Sequence, residues 1–298
     1  MLPQHQRYNY SRIGDRPEFS WPDGKRLAFY VCNNIEYFAF GAGLGSDIGL
    51  ANPPPNHRSY AWRDYGNRVG VWRMLDLFDE LGLPASHNVN SEVYRHHPDI
   101  MERVRARGDE VIGHGRTNSE KQSSMWEVDE ATLIRDATDV LTQHEGKPPK
   151  GWLGPWLAET FVTPDLLKEA GYTYLLDWSC DDQPFWMNTR SGPILSVPYP
   201  LEINDSPALV FRHHTARDFA DMMVDQFDEM VEQCEAQPLV CSFALHTFVI
   251  GQPFRLRPLR QALKHCLEHK LKERVWVTRP GEIADYCWRL PEGTLTGA

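Results

Sequence analysis

Three side chains that can transfer protons occupy comparable places in the sequence. Glu36, His114 and His246 each stand at or just beyond the end of a short apolar run. A positioned carboxylate can take a proton from water, and an imidazole can give a proton to a leaving nitrogen. The three residues therefore predict general acid–base hydrolysis, with Glu36 as the base, His246 as the acid and His114 beside them.

His114 lies in a segment of small and hydrogen-bonding residues that runs from Gly113 to Asn118. A loop of this composition after a strand is typical of a site for chemistry. The alternative is a loop histidine with structural hydrogen bonds alone. Together with Asn34 and Asn118, His114 is predicted to hold or polarise the carbonyl group of a substrate.

Two aspartates are candidates for orienting His246. Asp177 lies at the end of an apolar run, and Asp182 follows it five residues later. A carboxylate that is hydrogen-bonded to an imidazole favours the protonated ring. Asp177 is therefore a candidate catalytic residue, and Asp182 is a candidate residue of the substrate pocket. The alternative for Asp182, which follows another aspartate, is a solvated position in a loop.

Two tryptophans, Trp152 and Trp178, also stand at strand ends. They are predicted to form walls of the substrate pocket and to exclude water, and the alternative is packing without a role in binding. Alternatives exist for the proton-transfer residues too. Glu36 would otherwise be a surface acid, and His246 would otherwise be a core residue.

The elements that must position these residues alternate between strand and helix along the chain. Strands are predicted at 26–31, 85–89, 111–112, 150–153, 172–178, 195–197, 208–211, 239–245 and 275–278. Helices are predicted at 69–81, 99–106, 129–145, 163–170, 218–237, 256–270 and 282–289. This alternation is typical of an α/β fold with a mainly parallel sheet and crossover helices, and a barrel of this length has its site at the carboxyl ends of the strands.

The domain organisation follows from the same pattern. Residues 1–24 are polar and aromatic and are predicted to form an arm, which packs either on its own subunit or on a neighbour. Residues 25–298 contain no linker or repeat that would divide them, so they are predicted to form a single (β/α) barrel domain. The glycine- and proline-rich stretch 38–59 is predicted to be a long irregular loop, and residues 40–60 are expected to shape the pocket.

Composition limits the partners. The 298 residues carry a net charge of −10, which argues against a nucleic acid or an anionic membrane as partner. The first residues lack the apolar core of a signal peptide, and the six cysteines are scattered without a CxxC pair. We therefore expect a cytoplasmic protein with reduced cysteines that acts on a small molecule.

The order of these strand-end motifs resembles that of the polysaccharide deacetylase superfamily, also known as the NodB-homology or carbohydrate esterase family four-like superfamily. The resemblance covers about residues 25–290 and is carried by Asp177-Trp178 and Leu245-His246. It implies a deformed (β/α) TIM-like barrel with mainly parallel strands. It also implies hydrolysis of carbon–nitrogen bonds other than peptide bonds, most often N-acetyl groups in carbohydrate metabolism.

The sequence departs from the metal-dependent members of that superfamily. Their first motif, Asp-Asp, is replaced by Asn34-Ile35-Glu36, and the second histidine of their His-x-x-x-His pair is replaced by Asn118. The arginine of their third motif is absent from the segment 151–156. Zinc requires three strong ligands and an open position, so no cofactor is predicted with assurance. If a divalent metal such as zinc binds, Glu36 and His114 are its candidate ligands.

The pattern is more similar to the branch that includes metal-independent allantoinase, in which the first motif also ends in Asn-x-Glu. The run that follows His246, with Ile250-Gly-Gln-Pro253, is similar as well. This resemblance implies an allantoinase-like hydrolase of a small amide or cyclic ureide, and a homo-oligomer, in that branch a tetramer. Two alternatives remain, a metal-dependent N-deacetylase of amino sugars or oligosaccharides and a barrel that binds a ligand without catalysis.

Overall fold

The computed structural model describes residues 4–41 and 56–297. Its strands are β1 Leu27–Ile35, β2 Ser86–Val89, β3 Glu110–Gly113, β4 Gly151–Trp152, β5 Tyr174–Leu175, β6 Phe185–Met187, β7 Ile194–Ser196, β8 Leu239–His246 and β9 Val275–Val277. Its helices are α1 His57–Tyr65, α2 Val71–Leu81, α3 Glu92–His96, α4 Pro98–Arg107, α5 Glu127–Glu145, α6 Thr163–Glu169, α7 Ala216–Gln233, α8 Pro253–Glu268 and α9 Pro280–Cys287.

The strands form one curled sheet in the order β6-β7-β5-β4-β3-β2-β1-β8, and β9 pairs with the first half of β1. All of these pairs are parallel except β6 with β7. The carboxyl ends of the parallel strands therefore meet at one edge of the sheet. This architecture confirms the predicted fold class, a deformed (β/α) barrel with mainly parallel strands.

Strand β1 pairs with three other strands, β2, β8 and β9, and all nine of its residues are buried. Its apolar start suits a strand that is covered on both faces. The second half of β1 pairs with β2 on one side and with β8 on the other, so that Asn34 lies level with both Asn88 and His246. This register brings the residue after β1 next to the end of β8.

The helices bury one face each against the sheet. Helix α2, for example, buries Met74, Leu75 and Phe78 at helical spacing. It ends at Gly82, whose φ of 60° is left-handed and whose N–H donates to the carbonyl of Asp79. Among the described residues, no helix is long and apolar enough to cross a membrane.

Several predicted elements differ from the structure. The predicted strand at 208–211 is wrong, because Ser206–Phe211 is a π-helical segment with Pro207 at its start. A proline has no N–H to donate to a strand, and its fixed φ suits the first turn of a helix. The predicted strand at 172–178 pairs only over Tyr174–Leu175. Strand β6 and helices α1 and α3 were not predicted.

The described part of the segment before β1 lies against the barrel. Arg7 forms an ion pair with Asp165, and Arg16 forms one with Asp181, with N–O distances of 2.6 and 2.7 Å. Trp21 is buried. The division into an arm, residues 1–24, and one domain, residues 25–298, stays a prediction. Of the predicted loop at 38–59, residues 42–55 lie outside the described residues, and the residues from 57 onward belong to α1.

Candidate active site

Glu36, His114 and His246 converge at the carboxyl edge of the sheet. Glu36 directly follows β1, His114 directly follows β3, and His246 is the last residue of β8. Their side chains are 5%, 2% and 12% exposed, so all three are withdrawn from bulk water. They line one cavity of about 160 Å³. The convergence predicted from the strand ends is therefore present in the structure.

Glu36 lies between the two imidazoles. Its Oε1 is 3.6 Å from Nε2 of His114 and 3.6 Å from Nε2 of His246. Burial acts to raise the pKa of Glu36, but opposing contributions, of which the charge of the neighbouring His246 is the largest, outweigh it and leave the pKa below its ordinary value. Glu36 is therefore a carboxylate at neutral pH and can accept a proton.

The tautomer of His114 is set by the protein backbone. Its Nδ1 lies 2.6 Å from the carbonyl oxygen of Leu153. A carbonyl oxygen can only accept, so Nδ1 carries the proton. In the neutral ring, Nε2 then has no proton, and its lone pair faces Glu36. No described residue hydrogen-bonds to this buried nitrogen.

His246 is held by Asp205. One carboxylate oxygen of Asp205 is 2.7 Å from Nδ1 of His246, and the other accepts the backbone N–H of His246 at 2.9 Å. Burial acts to lower the pKa of His246, but Asp205 and then Glu36 outweigh it and raise the pKa above its ordinary value. The second proton of the ring sits on Nε2, on the side of Glu36. His246 can therefore serve as an acid.

Asp205 was not predicted, and the prediction that Asp177 or Asp182 hydrogen-bonds to His246 is wrong. Asp205 stands at the start of the π-helical segment rather than at a strand end. It reaches His246 because its neighbour Asn204 forms a parallel bridge with Ala244 of β8. No local pattern in the sequence signals such a bridge.

Asn34 and Asn118 both line the cavity, and each is anchored by hydrogen bonds. Both amide hydrogens of Asn34 are in use, to the hydroxyl of Tyr199 at 3.1 Å and the carbonyl of Leu245 at 3.0 Å. Its Oδ1 accepts from Nδ2 of Asn88 at 2.9 Å. The side-chain oxygen of Asn118 accepts from Nδ2 of Asn90 at 3.0 Å. Contact of Asn118 with a substrate stays a prediction, whereas Asn34 has no amide hydrogen left with which to polarise a carbonyl group.

A strained turn completes the wall beside Asn118. Trp156 and Leu157 have φ values of 68° and 51°, which are left-handed and unfavourable for residues with a side chain. The indole N–H of Trp156 donates to the carbonyl of Asn118 at 3.0 Å and holds the turn against the His114 loop. Strain of this kind is found at functional sites, where the surrounding structure maintains it.

Four predicted site residues lie outside the cavity lining. Trp152 is fully buried against Tyr172, and Trp178 donates to Oε2 of Glu159 at 3.0 Å. Asp177 accepts the N–H of Gly154 at 2.7 Å, and burial raises its pKa to about 7. Asp182 lies in a separate surface depression. The aromatic wall of the cavity consists instead of Phe38, Trp156, Tyr199, Phe211 and Phe248.

Comparisons with known proteins agree on one family. The sequence model of the polysaccharide deacetylase family matches residues 52–175. The crystal structure of the PuuE allantoinase has a TM-score of 0.82 at 29% identity, and the match covers 93% of this chain and 97% of that chain. A Pseudomonas aeruginosa PAO1 crystal structure, assigned as a polysaccharide deacetylase, has a TM-score of 0.81 at 26% identity over 93% and 95% of the two chains. A Schizosaccharomyces pombe protein with the same assignment is 27% identical over 278 residues, which is 88% of this chain and 85% of its own.

The family model, the relatives and the solved structures together support the polysaccharide deacetylase superfamily for this chain. The resemblance inferred from the strand-end motifs is thereby confirmed. That superfamily includes metal-dependent hydrolases, so the cavity was compared with the ligand set that a metal needs.

The donor set of this cavity does not fit the zinc site of a metal-dependent deacetylase. Glu36 and the Nε2 lone pair of His114 are two suitable donors. Nε2 of His246 carries the proton that Asp205 favours, and the remaining position holds Asn118. An amide oxygen is a weak ligand, and this one already accepts from Asn90. Zinc sites in enzymes have three protein ligands and one open position. The residues present therefore support chemistry carried by the side chains themselves.

Another cluster of possible ligands lies between α7 and α8. Asp228, His265 and His269 have ligand atoms within 4.8 Å of one another. However, Nδ1 of His269 accepts the N–H of Leu271 at 3.1 Å, so the proton of the neutral ring is on Nε2 and faces Asp228. A metal would need that nitrogen's lone pair. In this arrangement the cluster is a hydrogen-bonded group rather than a metal site.

Proposed function

We propose that this chain hydrolyses a carbon–nitrogen bond, other than a peptide bond, in a small amide or a cyclic ureide such as allantoin. The observation that carries the proposal is the position of Glu36, 3.6 Å from Nε2 of each of two imidazoles. Both rings carry a proton on Nδ1, but the partner of that nitrogen differs between them. One ring is bonded to a carbonyl and the other to a carboxylate. This gives the cavity a base, a water-holding acceptor and an acid.

Each step of the hydrolysis follows from these positions. A water molecule donates its two hydrogens to Oε1 of Glu36 and Nε2 of His114, and its oxygen attacks the carbonyl carbon. Glu36 takes the proton that the water loses, which is the role of a general base. His246, kept protonated by Asp205, gives its Nε2 proton to the leaving nitrogen as the C–N bond breaks. Glu36 then passes the proton that it took from water to His246, which restores the carboxylate and the protonated imidazole.

The size and lining of the cavity favour a small, flat substrate. Its volume is about 160 Å³, and aromatic rings form much of its wall. A small ring would bury most of its surface there, which is what tight small-molecule sites do. The PuuE allantoinase match, with 29% identity over 93% of this chain, supports a cyclic ureide. A polymer would have to place one residue in the cavity and the rest outside it.

A second candidate is an N-deacetylase of amino sugars or oligosaccharides that depends on a metal. It is favoured by the Pseudomonas and Schizosaccharomyces matches, both assigned as polysaccharide deacetylases. The donor set described above weighs against it.

A substrate panel with two variants tests the proposal. The panel contains allantoin, hydantoin, simple amides and N-acetylated sugars, each assayed with and without a chelator. We expect turnover of a ureide that survives chelation and is lost in Glu36→Gln and His246→Ala. Undiminished activity in both variants would overturn the residue assignment. Deacetylation that chelation abolishes and added metal restores would establish the second candidate instead, and a ligand bound but never altered would indicate a non-catalytic barrel.

The assembly and compartment are part of the same proposal. We infer a homo-oligomer, a tetramer by resemblance, in the cytoplasm, with a small molecule and neither nucleic acid nor membrane as partner. A mass from light scattering tests the assembly, and a monomer would contradict it.

A further inference from the structure

Tyr199 is a cavity residue that the strand-end pattern does not predict. It follows β7 at a distance of three residues, and its side chain is buried. It lines the same cavity as Glu36, His114 and His246.

The hydrogen bonds of the Tyr199 hydroxyl are incomplete. Its oxygen accepts Nδ2 of Asn34 at 3.1 Å. An amide nitrogen can only donate, so the hydroxyl's own proton must go to another acceptor. Within the part of the chain that the structure describes, no residue accepts it. A buried donor is nearly always paired, so an unpaired donor at a cavity points to a partner that comes from outside.

Other buried tyrosines of the barrel do not share this feature. The hydroxyl of Tyr30 donates to the carbonyl of Pro198 at 2.5 Å, and that of Tyr174 donates to Oε1 of Glu110 at 2.8 Å. The hydroxyl of Tyr172 is hydrogen-bonded to Oγ1 of Thr138 at 2.7 Å. None of these three lines the cavity. The free proton is thus found on the tyrosine that faces the proposed site.

Tyr199 is suited to donate rather than to ionise. Burial raises its pKa well above the ordinary value, so the hydroxyl keeps its proton throughout the neutral range. The reaction needs such a donor, because attack of water leaves a negative charge on the carbonyl oxygen. Asn34 cannot supply it, since both of its amide hydrogens are in use. The Nδ1 proton of His114 is in use as well.

We propose that the hydroxyl of Tyr199 donates a hydrogen bond to the carbonyl oxygen of the substrate and stabilises the oxyanion that forms when water adds. The inference rests on the proposed C–N hydrolysis and applies to any amide carbonyl, in a ureide or in an N-acetyl group. Asn34 then has a defined task, because its N–H fixes the tyrosine oxygen and leaves the O–H directed at the substrate.

Tyr199→Phe tests this inference, because phenylalanine keeps the ring and removes the hydroxyl alone. Loss of one oxyanion donor typically lowers kcat by about 10²–10³-fold. We expect a loss of that size with KM nearly unchanged, since the bond strengthens mainly in the transition state. The matched control is Tyr172→Phe, which removes a buried hydroxyl outside the cavity and should leave kcat unchanged.

The outcomes separate this inference from the proposed function. Full kcat in Tyr199→Phe, together with an inactive Glu36→Gln, would overturn the inference and leave the proposed function standing. No turnover by the wild type, or full activity in Glu36→Gln, would overturn the proposed function and the inference with it. If Tyr199→Phe does not fold, 3-fluorotyrosine placed at 199 supplies a more acidic hydroxyl of nearly the same shape. An unchanged kcat in that variant would overturn the inference.

Discussion

At the scale of single residues, the chemistry depends on what each imidazole is bonded to on its far side. His114 faces a backbone carbonyl through Nδ1, and His246 faces the carboxylate of Asp205. A neutral partner fixes the tautomer, whereas a charged partner also favours the second proton. Two histidines at equal distance from Glu36 thereby acquire opposite roles. This division of roles does not follow from the type of residue and requires the partners to be known.

The role of Asp205 can be tested by Asp205→Asn. His246 acts in its protonated form, so activity is lost as pH rises through the pKa of His246. Asp205 raises that pKa, and its removal lowers it. We expect the basic limb of the kcat/KM profile to move to lower pH, with a loss at neutral pH of roughly 10²-fold or more, since general acid catalysis contributes about 10²–10⁴-fold.

Asp177→Asn is the matched control, because it removes a carboxylate that is largely withdrawn from water and is one of the two that the sequence offers as partner of His246. Asp177 accepts from Gly154 and lies outside the cavity lining, so its replacement should leave the basic limb in place. If Asp177→Asn moves the limb and Asp205→Asn does not, the assignment of Asp205 is wrong.

At the scale of elements, the loop after β8 must be held so that His246 stays beside Glu36. The π-helical segment Gly66–Gly70, between α1 and α2, does this by close approach. A Cβ on Gly70 would lie 2.1 Å from the carbonyl oxygen of Thr247, the residue after His246. The backbone conformation of Gly70 is helical, so glycine is needed here for space and not for its dihedral angles.

Gly70→Ala should therefore push the loop away from α2 and displace His246. Overpacking of this kind typically costs about 1–3 kcal/mol of unfolding free energy. We expect a lower denaturation midpoint together with a lower kcat, measured by chemical unfolding and by the substrate assay. Gly14→Ala is the control, because the nearest atom to its added Cβ is 4.0 Å away. Equal behaviour of the two variants would show that the contact with Thr247 does not position the site.

The same elements indicate how much of the site is predictable. Strand β8 is a near-continuous apolar run, so its end, and with it His246, is placed by the rule that parallel strands end at one edge. The apolar run of β1 brings Glu36 close to the same edge, but the strand continues to Ile35, four residues beyond its predicted end. Asp205 and Tyr199 lie on irregular segments after β7, where position depends on contacts with β8 and on a turn. Strands β4 and β5 have only two residues each, which is too short for a pattern to define.

At the scale of the whole molecule, the barrel places the candidate site at the carboxyl ends of its parallel strands, which is usual for this fold. The side chains there differ from the ligands of a zinc site. The ends of β1, β3 and β8, with the loop after β3, bring together Glu36, two histidines and two amides at the carboxyl edge of the sheet. The family fold therefore does not determine the cofactor, and the side chains at the strand ends must be considered individually. The fold supplies the position, and the replacement of one ligand by Asn118 changes which chemistry is available there.

This argument predicts the metal content of the purified protein. Two suitable donors do not make a zinc site, so we expect zinc, nickel and cobalt far below one equivalent per chain, and activity that is unaffected by a chelator. Elemental mass spectrometry of the wild type, His114→Ala and His265→Ala checks this. Near-stoichiometric metal that is lost in His114→Ala would contradict the prediction and favour the metal-dependent deacetylase. Metal that is lost only in His265→Ala would come from the cluster between α7 and α8 and would leave the side-chain mechanism unchanged.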